Sequence, residues 1–312
     1  MTLHANTIGV DISKDRLDVF CRRSGTHWSV PNNAGEAARL AADHRDTRFV
    51  FEATSGCDRL LREALTAAGV TFTAVNPRRA REFARAAGFL AKTDRVDARV
   101  LAEMGHRLDL GPTVEPSADR KALAELVARR EQIVGDLVRE RNRLGTATHP
   151  IVRRSLLTSI RTLEQRRVVL ESEIRRLIVS SAELRGIEER LRQIPGVGPI
   201  VAATLIAEMP ELGTRDRRAI AALAGLAPLA NDSGRHRGHR RIWGGRRKVR
   251  RVLFIAALQA SQRCARWRRV REEMQAAGKT PKTILIAIAR RLLVTMNAML
   301  RDGTPFRSPA AA

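Results

Sequence analysis

Apolar and polar positions alternate at the start of the chain. Thr7 to Val10 and Leu17 to Cys21 read as two β-runs joined by a tight polar turn at Ser13 to Arg16, with Thr26 to Val30 as a third. A helix-like stretch from Ala34 to Asp43 follows. Next come a buried-looking strand Arg48 to Ala53, a helix Asp58 to Ala68, and a strand Thr71 to Val75 closed by Asn76-Pro77. A strand meander passing into βαβ alternation predicts an α/β layer fold.

Beyond Gly111-Pro112 the pattern changes. Leu123, Leu126, Ile133, Leu137 and Leu144 mark a helix broken at Gly145 to Pro150. In the helix that resumes, Leu156, Leu163, Leu170 and Leu177 recur every seven residues with Ile160 and Ile174 between them. This is the seam of a coiled coil, weakened by Arg167. Spacing alone allows an antiparallel hairpin within one molecule or a dimerisation arm. From Ile187 the chain reads as all-helical, and Ile194-Pro195-Gly196-Val197-Gly198-Pro199 leads into the apolar run Ile200 to Ala207. Gly196 and Gly198 resemble a helix-hairpin-helix turn offering backbone N–H groups to phosphate, although a plain Gly-rich interhelical turn has the same pattern. The expected organisation is 1–112, 113–185 and 186–312.

Composition narrows the partners. In 312 residues, 57 Lys plus Arg stand against 33 Asp plus Glu, a formal charge of +24, which favours a polyanion and above all nucleic acid. With no apolar run expected to be long enough to span a bilayer and a polar start at Thr2 to Asn6, no membrane partner and a cytoplasmic location are expected. Cys21, Cys57 and Cys264 lack zinc spacing and read as structural thiols. With no tyrosine in the chain, a tyrosine nucleophile is excluded.

Four acids carry the candidate chemistry. Asp11 closes the run Ile8-Gly9-Val10 and Glu52 interrupts Val50-Phe51-Glu52-Ala53, while Asp94 and Asp97 lie three apart where a helix starts near Thr93. Isolated carboxylates in such apolar runs are costly. Clustered acids suit Mg²⁺, which takes hard oxygen ligands and serves phosphoryl displacement. The alternative is structural: a helix cap at Asp94, an ion pair from Asp97 to Arg95 or Arg99, and a satisfied buried Glu52.

The second candidate is Ser233 in Asn231-Asp232-Ser233-Gly234, which reads as a loop between helices. No acid occurs between Asp232 and Glu272, and Lys or Arg fill fourteen of those positions. A hydroxyl among Arg235, Arg237, Arg240, Arg241 and Arg246, with Arg247 and Lys248 beyond, has cations at hand to stabilise its ionisation and a charged phosphorane. Ser-Gly after Asp is also ordinary turn chemistry, and the cations also suit simple phosphate binding. Ser13 and Ser55 read as turn or cap residues. His236, His239 and Trp243 are left without an assigned role.

The ordered set Ile8-Gly9-Val10-Asp11, Phe51-Glu52-Ala53-Thr54, Lys92-Thr93-Asp94-x-x-Asp97-Ala98, Pro195-Gly196-Val197-Gly198-Pro199, Leu223-Ala224-Gly225-Leu226-Ala227-Pro228, Asp232-Ser233-Gly234 and Gly244-Gly245-Arg246 closely resembles the insertion-sequence "one-ten" family of DEDD transposases. The resemblance covers nearly the whole chain. It implies an RNase-H-like, RuvC-like α/β N-terminal domain whose tetrad matches Asp11, Glu52, Asp94 and Asp97, a coiled-coil middle, and an all-α C-terminal transposase domain whose catalytic serine matches Ser233. It further implies Mg²⁺, donor and target DNA, a structured guide (bridge) RNA and a homo-oligomer, dimer or tetramer. In that scheme the serine becomes covalently linked to DNA and the metal-bound acids complete a composite site. In the helix after Gly244-Gly245-Arg246 this chain has Phe254 where members often carry a tyrosine.

Overall fold

The computed structural model describes residues 6–53, 56–91, 93–230, 232–233, 236–238 and 240–307, with the side chains of His236 and Arg237 outside the description. Contacts divide the chain into two units, Met1–Glu115 and Pro116–Ala312.

In the first unit the expected meander is β1 (Thr7–Ile12), β2 (Arg16–Cys21) and β3 (His27–Pro31). α1 (Ala34–Asp43), β4 (Arg48–Glu52), α2 (Arg59–Ala67), β5 (Phe72–Val75), α3 (Pro77–Ala86) and α4 (Asp94–Arg107) follow. The sheet order is β3-β2-β1-β4-β5, with β1–β2 and β2–β3 antiparallel and β1–β4 and β4–β5 parallel. Strand periodicity sorts the side chains to two faces. Ile8, Val10, Ile12, Leu17, Val19, Phe49 and Phe51 share a core with Leu40, Ala41, Leu61 and Leu65 of α1 and α2. Val50 and Val75, on the opposite face, pack with Ala80 of α3 and Leu101 and Met104 of α4. Arg62 closes the first core, its guanidinium 5.4 Å from the Phe51 ring centroid and paired with Asp58 at 2.7 Å and Glu115 at 2.9 Å. α3 was not foreseen. Pro77 at its first turn and the Asn76 side chain accepting from Arg78 N account for its start.

The second unit opens with α5 (Ala118–Thr146) and α6 (Pro150–Ser180). The two pair within one chain: Ile133, Leu137 and Ile160 form a buried cluster bordered by Leu144, Leu163 and Leu170. Arg130–Glu171 and Arg141–Glu164, each at 2.6 Å, tie the helices together. The roots of this hairpin, Leu123, Val127, Ile174 and Ile178, belong to the large core of the unit. That core is completed by α7 (Ala182–Arg192), α8 (Pro199–Glu208), α9 (Arg217–Leu223), α10 (Arg247–Arg263), α11 (Ala265–Ala276) and α12 (Pro281–Asp302).

Two readings need correction. The C-terminal third is helical but not all-α. Between α9 and α10 the chain forms β6 (Pro228–Leu229), β7 (Asp232–Ser233), β8 (His236–Arg237) and β9 (Arg241–Ile242), so Ser233 sits on a short strand rather than in an open loop. Two-residue strands are too short to leave a period in the sequence. Further, α12 is long and apolar enough by composition to cross a membrane. Its apolar content has a core role, since Ile284, Ile288, Leu292, Leu293, Met296 and Met299 are all buried in the helical unit.

Candidate active centres

The sheet explains how distant acids meet. Because Ile8, Val10 and Ile12 face α1 and α2, Gly9 and Asp11 face α4; by the same alternation Asp18 and Glu52 do so too. Asp11 lies within β1, one residue short of its end, and is the direct cross-strand partner of Asp18 on β2. Phe51 pairs with Val10, so Glu52 leaves β4 alongside Asp11. α4 supplies the rest. The Thr93 side chain caps its start by accepting from Val96 N, and Asp94 and Asp97 occupy its first turn.

The electrostatics record the crowding. Burial, then the charges of Asp97, Asp94, Glu52 and Asp18, push the Asp11 carboxyl up from 3.8 to about 6. Asp18 is the member that sequence reading missed. It is 5% exposed, and only the β1–β2 register reveals that it faces Asp11. Arg16 was also unforeseen: its guanidinium reaches Asp18 at 3.0 Å and Asp94 at 3.2 Å.

The donor set fits a hard divalent cation, being all carboxylate oxygen under mutual repulsion that a cation relieves. Among the described residues, however, no three Asp, Glu, His or Cys side chains are drawn in tightly enough to grip an ion.

The serine centre is built separately, inside the second unit. Its hairpin stands on two turns locked together: a side chain at Gly245 would overlap Gly225, and both residues have positive φ, +64° and +67°. Arg246 N donates to Leu223 O at 2.8 Å, and Arg250 Nη1 donates to Gly244 O at 2.7 Å. Above these feet β6 pairs with β9 and β7 with β8, leaving Ser233 exposed opposite His236. Asp232 holds Arg240 at 3.1 Å, while Trp243 is 55% exposed.

The other basic residues divide by role. Arg246 forks onto Glu211 at 2.5 and 2.6 Å. Burial opposes the Glu211 charge, but the Arg246 hydrogen bonds prevail and hold its carboxyl below the ordinary range. Lys248 meets Glu208 at 2.7 Å. Arg240, Arg241 and Arg247 are exposed, and Arg235 and His239 lie outside the described residues, as do Ser55 and Lys92. Gly196 serves packing: at φ +95° a Cβ there would stand 2.7 Å from Ala260 N of α10. Gly198 precedes α8 as its N-cap and has open space around its Cα. All three cysteines are free, Cys21 and Cys264 being buried.

An α/β unit carrying clustered acids followed by a helical unit is the setting, and the comparisons identify the class as a DNA transposase of the DEDD type. Residues 8–148 match a DEDD transposase model of the IS110 type, and residues 188–273 match the transposase IS116/IS110/IS902 family. The chain belongs to this family. It is 29% identical over 314 residues to the pilin gene-inverting protein of Moraxella lacunata, covering 96% of this chain and 97% of that one. It is 26% identical over 386 residues to an insertion element IS116 44.8 kDa protein of Streptomyces clavuligerus, covering 95% and 94%. An insertion element IS110 43.6 kDa protein of Streptomyces coelicolor is 34% identical over 167 residues, covering 53% and 40%. The protein is therefore a transposase or recombinase acting on DNA, of the kind that moves insertion sequences.

Proposed function

We propose that this transposase cuts and rejoins DNA through a covalent serine–DNA intermediate at Ser233, working with a divalent cation held by Asp11, Glu52, Asp94 and Asp97. The observation that carries the acidic half is the convergence of four carboxylates on the α4 face of the sheet, reflected in Asp11 being pushed up to about 6. Bound there, Mg²⁺ would supply charge neutralisation at the reacting phosphate. Asp18 and Arg16 position the carboxylates: the Asp18 charge adds to the field on Asp11, and Arg16 holds Asp94 until a cation competes for it. The strand order β3-β2-β1-β4-β5 supports an RNase-H-like, RuvC-like reading of this unit.

On the other unit, exposure and the rigid base of the hairpin support Ser233 as nucleophile. Its Oγ forms a bond to phosphorus as the bond to the leaving DNA oxygen breaks. The serine gives up its proton and the leaving oxygen takes one up. Attack by the hydroxyl of a second strand reverses the step, so joining needs no external energy source. The exposed Arg240, Arg241 and Arg247 are suited to hold phosphates, a role that sequence proximity to Ser233 extends to Arg235 and Arg237, whereas Arg246 and Lys248 act through Glu211 and Glu208 to brace the hairpin. The +24 charge and the family likeness support a guide RNA as second polyanionic partner, and the exposed apolar residues of α5 and α6 outside their intrachain seam, Val138, Leu157, Val168 and Val169, support a homo-oligomer.

The test is a denaturing gel of the protein with labelled element DNA and Mg²⁺. The wild type retains labelled DNA on the polypeptide and Ser233→Ala retains none, while both bind DNA equally. Strand cleavage by wild type without any covalent product would instead make water the nucleophile.

A further inference from the structure

The helical unit carries a second basic feature that neither centre uses. A hollow of about 720 Å³ is lined by Arg217 and Arg218 at the start of α9, Arg266 in α11, and Arg290 and Arg291 in α12. No acid is among its lining residues. Elsewhere in the unit arginines find carboxylates, as Arg120 does with Glu183 and Arg251 with Glu131. Among the described residues, none of these five guanidinium groups makes an ion pair or a hydrogen bond; Asp216, the N-cap of α9, accepts from the Arg218 backbone N–H and, of the five, offsets part of the Arg218 charge alone. Beneath them lies Trp267, 1% exposed, its ring N–H buried without an acceptor and the Arg266 guanidinium 4.8 Å from its ring.

Five like charges around one partly apolar hollow repel each other, and low-dielectric walls focus their field, so the cleft is primed for an anion. Guanidinium forks match phosphate oxygens two at a time. The volume exceeds what one phosphate needs and suits a nucleotide-sized stretch of strand. Position matters as well. α9 begins with the cleft arginines and ends at Leu223, whose carbonyl accepts from Arg246 N at the foot of the Ser233 hairpin. At 1.5 Å rise per residue the helix spans roughly 10 Å.

We propose that this cleft is a DNA-anchoring site, holding backbone phosphates of a DNA strand apart from the serine hairpin. It rests on DNA being the substrate and not on the nucleophile, and its test reads binding alone, so it can fail while the serine chemistry stands. The full-length protein is titrated against a labelled DNA duplex by fluorescence anisotropy over a range of salt. Arg217→Gln/Arg291→Gln, two exposed positions, is compared with Arg161→Gln/Arg175→Gln, exposed positions on α6. The cleft pair is expected to weaken binding about tenfold or more and to lower the slope of log affinity against log salt by about two, while the α6 pair changes affinity less than about twofold. Arg217→Lys/Arg291→Lys, which keeps the charge, is expected to retain the slope with a partial loss of affinity. Equal losses in the cleft and α6 glutamine pairs, or an unchanged slope in the cleft pair, would overturn the proposal. So would a loss seen with RNA of the same length and not with DNA.

Discussion

Gly9 on β1 lies so close to Ala98 on α4 that a side-chain methyl at position 9 would overlap the Ala98 carbonyl oxygen and stand 2.5 Å from Ala102 N. Both obstacles are backbone, which cannot swing aside. Two residues along β1 is Asp11, and one residue before Ala98 is Asp97, so the approach that only glycine permits also brings the acids together. Gly9→Ala should cost about 1–3 kcal/mol through overpacking. By displacing the first turn of α4 it should also cut strand cleavage by roughly 100-fold, the scale of an ångström-sized misplacement. Thermal unfolding and a cleavage assay on the same preparation check both effects. Full cleavage activity in the variant would mean that the α4 position does not govern the acids.

The raised Asp11 pKa sets a pH signature. A carboxyl at about 6 in the fold and 3.8 when unfolded binds its proton more tightly in the folded state. Its ionisation therefore costs stability, a cost absent below 3.8 and complete above about 6. In EDTA, melting temperature measured from pH 7 down to pH 4 should include a stabilising contribution that Asp11→Asn lacks. Mg²⁺ at pH 7 should raise the wild-type melting temperature more than that of Asp11→Asn. Identical responses of the two proteins would remove Asp11 from the cluster.

Glu211 and Arg246 brace the hairpin and stabilise the unit. Arg246→Ala leaves a half-buried carboxylate without its fork and should cost about 1–3 kcal/mol, a penalty that Glu211→Gln in the same chain partly relieves. Because the Glu211 carboxyl is depressed in the fold, the pair's contribution is present above the ordinary carboxylate range and fades as pH falls below it. Denaturant unfolding of the double-mutant cycle at pH 7 and pH 3 should show coupling at the first and little at the second.

The contact between Gly225 and Gly245 predicts a selective lesion. Gly245→Ala places a methyl against Gly225 N and Cα and strains a backbone at φ +64°. The feet of the hairpin should part, so covalent DNA attachment is lost while thermal stability falls by only about 1–3 kcal/mol. Retained attachment would show that the hairpin base does not orient Ser233.

Much of this was legible in one dimension. Strand alternation located β1 to β5 within a residue or two, because a sheet buried on both faces leaves long apolar runs between turn residues. The leucine and isoleucine spacing of α5 and α6 announced helices for the same kind of reason. The four acids stood out because each interrupts such a run or begins a helix. Asp18 did not, since nothing local distinguishes it from a surface residue; only pairing of its strand with β1 sets it against Asp11.

What the sequence determined by itself was the set of elements and the chemical inventory, since both are carried by short-range periodicity and residue type. Tertiary structure alone decided which groups meet. Register placed Asp18 on the Asp11 face, close helix–strand approach at Gly9 brought Asp94 and Asp97 to them, and the packing of α9, α11 and α12 gathered five arginines from three separate segments around Trp267. These are contacts between residues distant in the chain, and no local pattern encodes them.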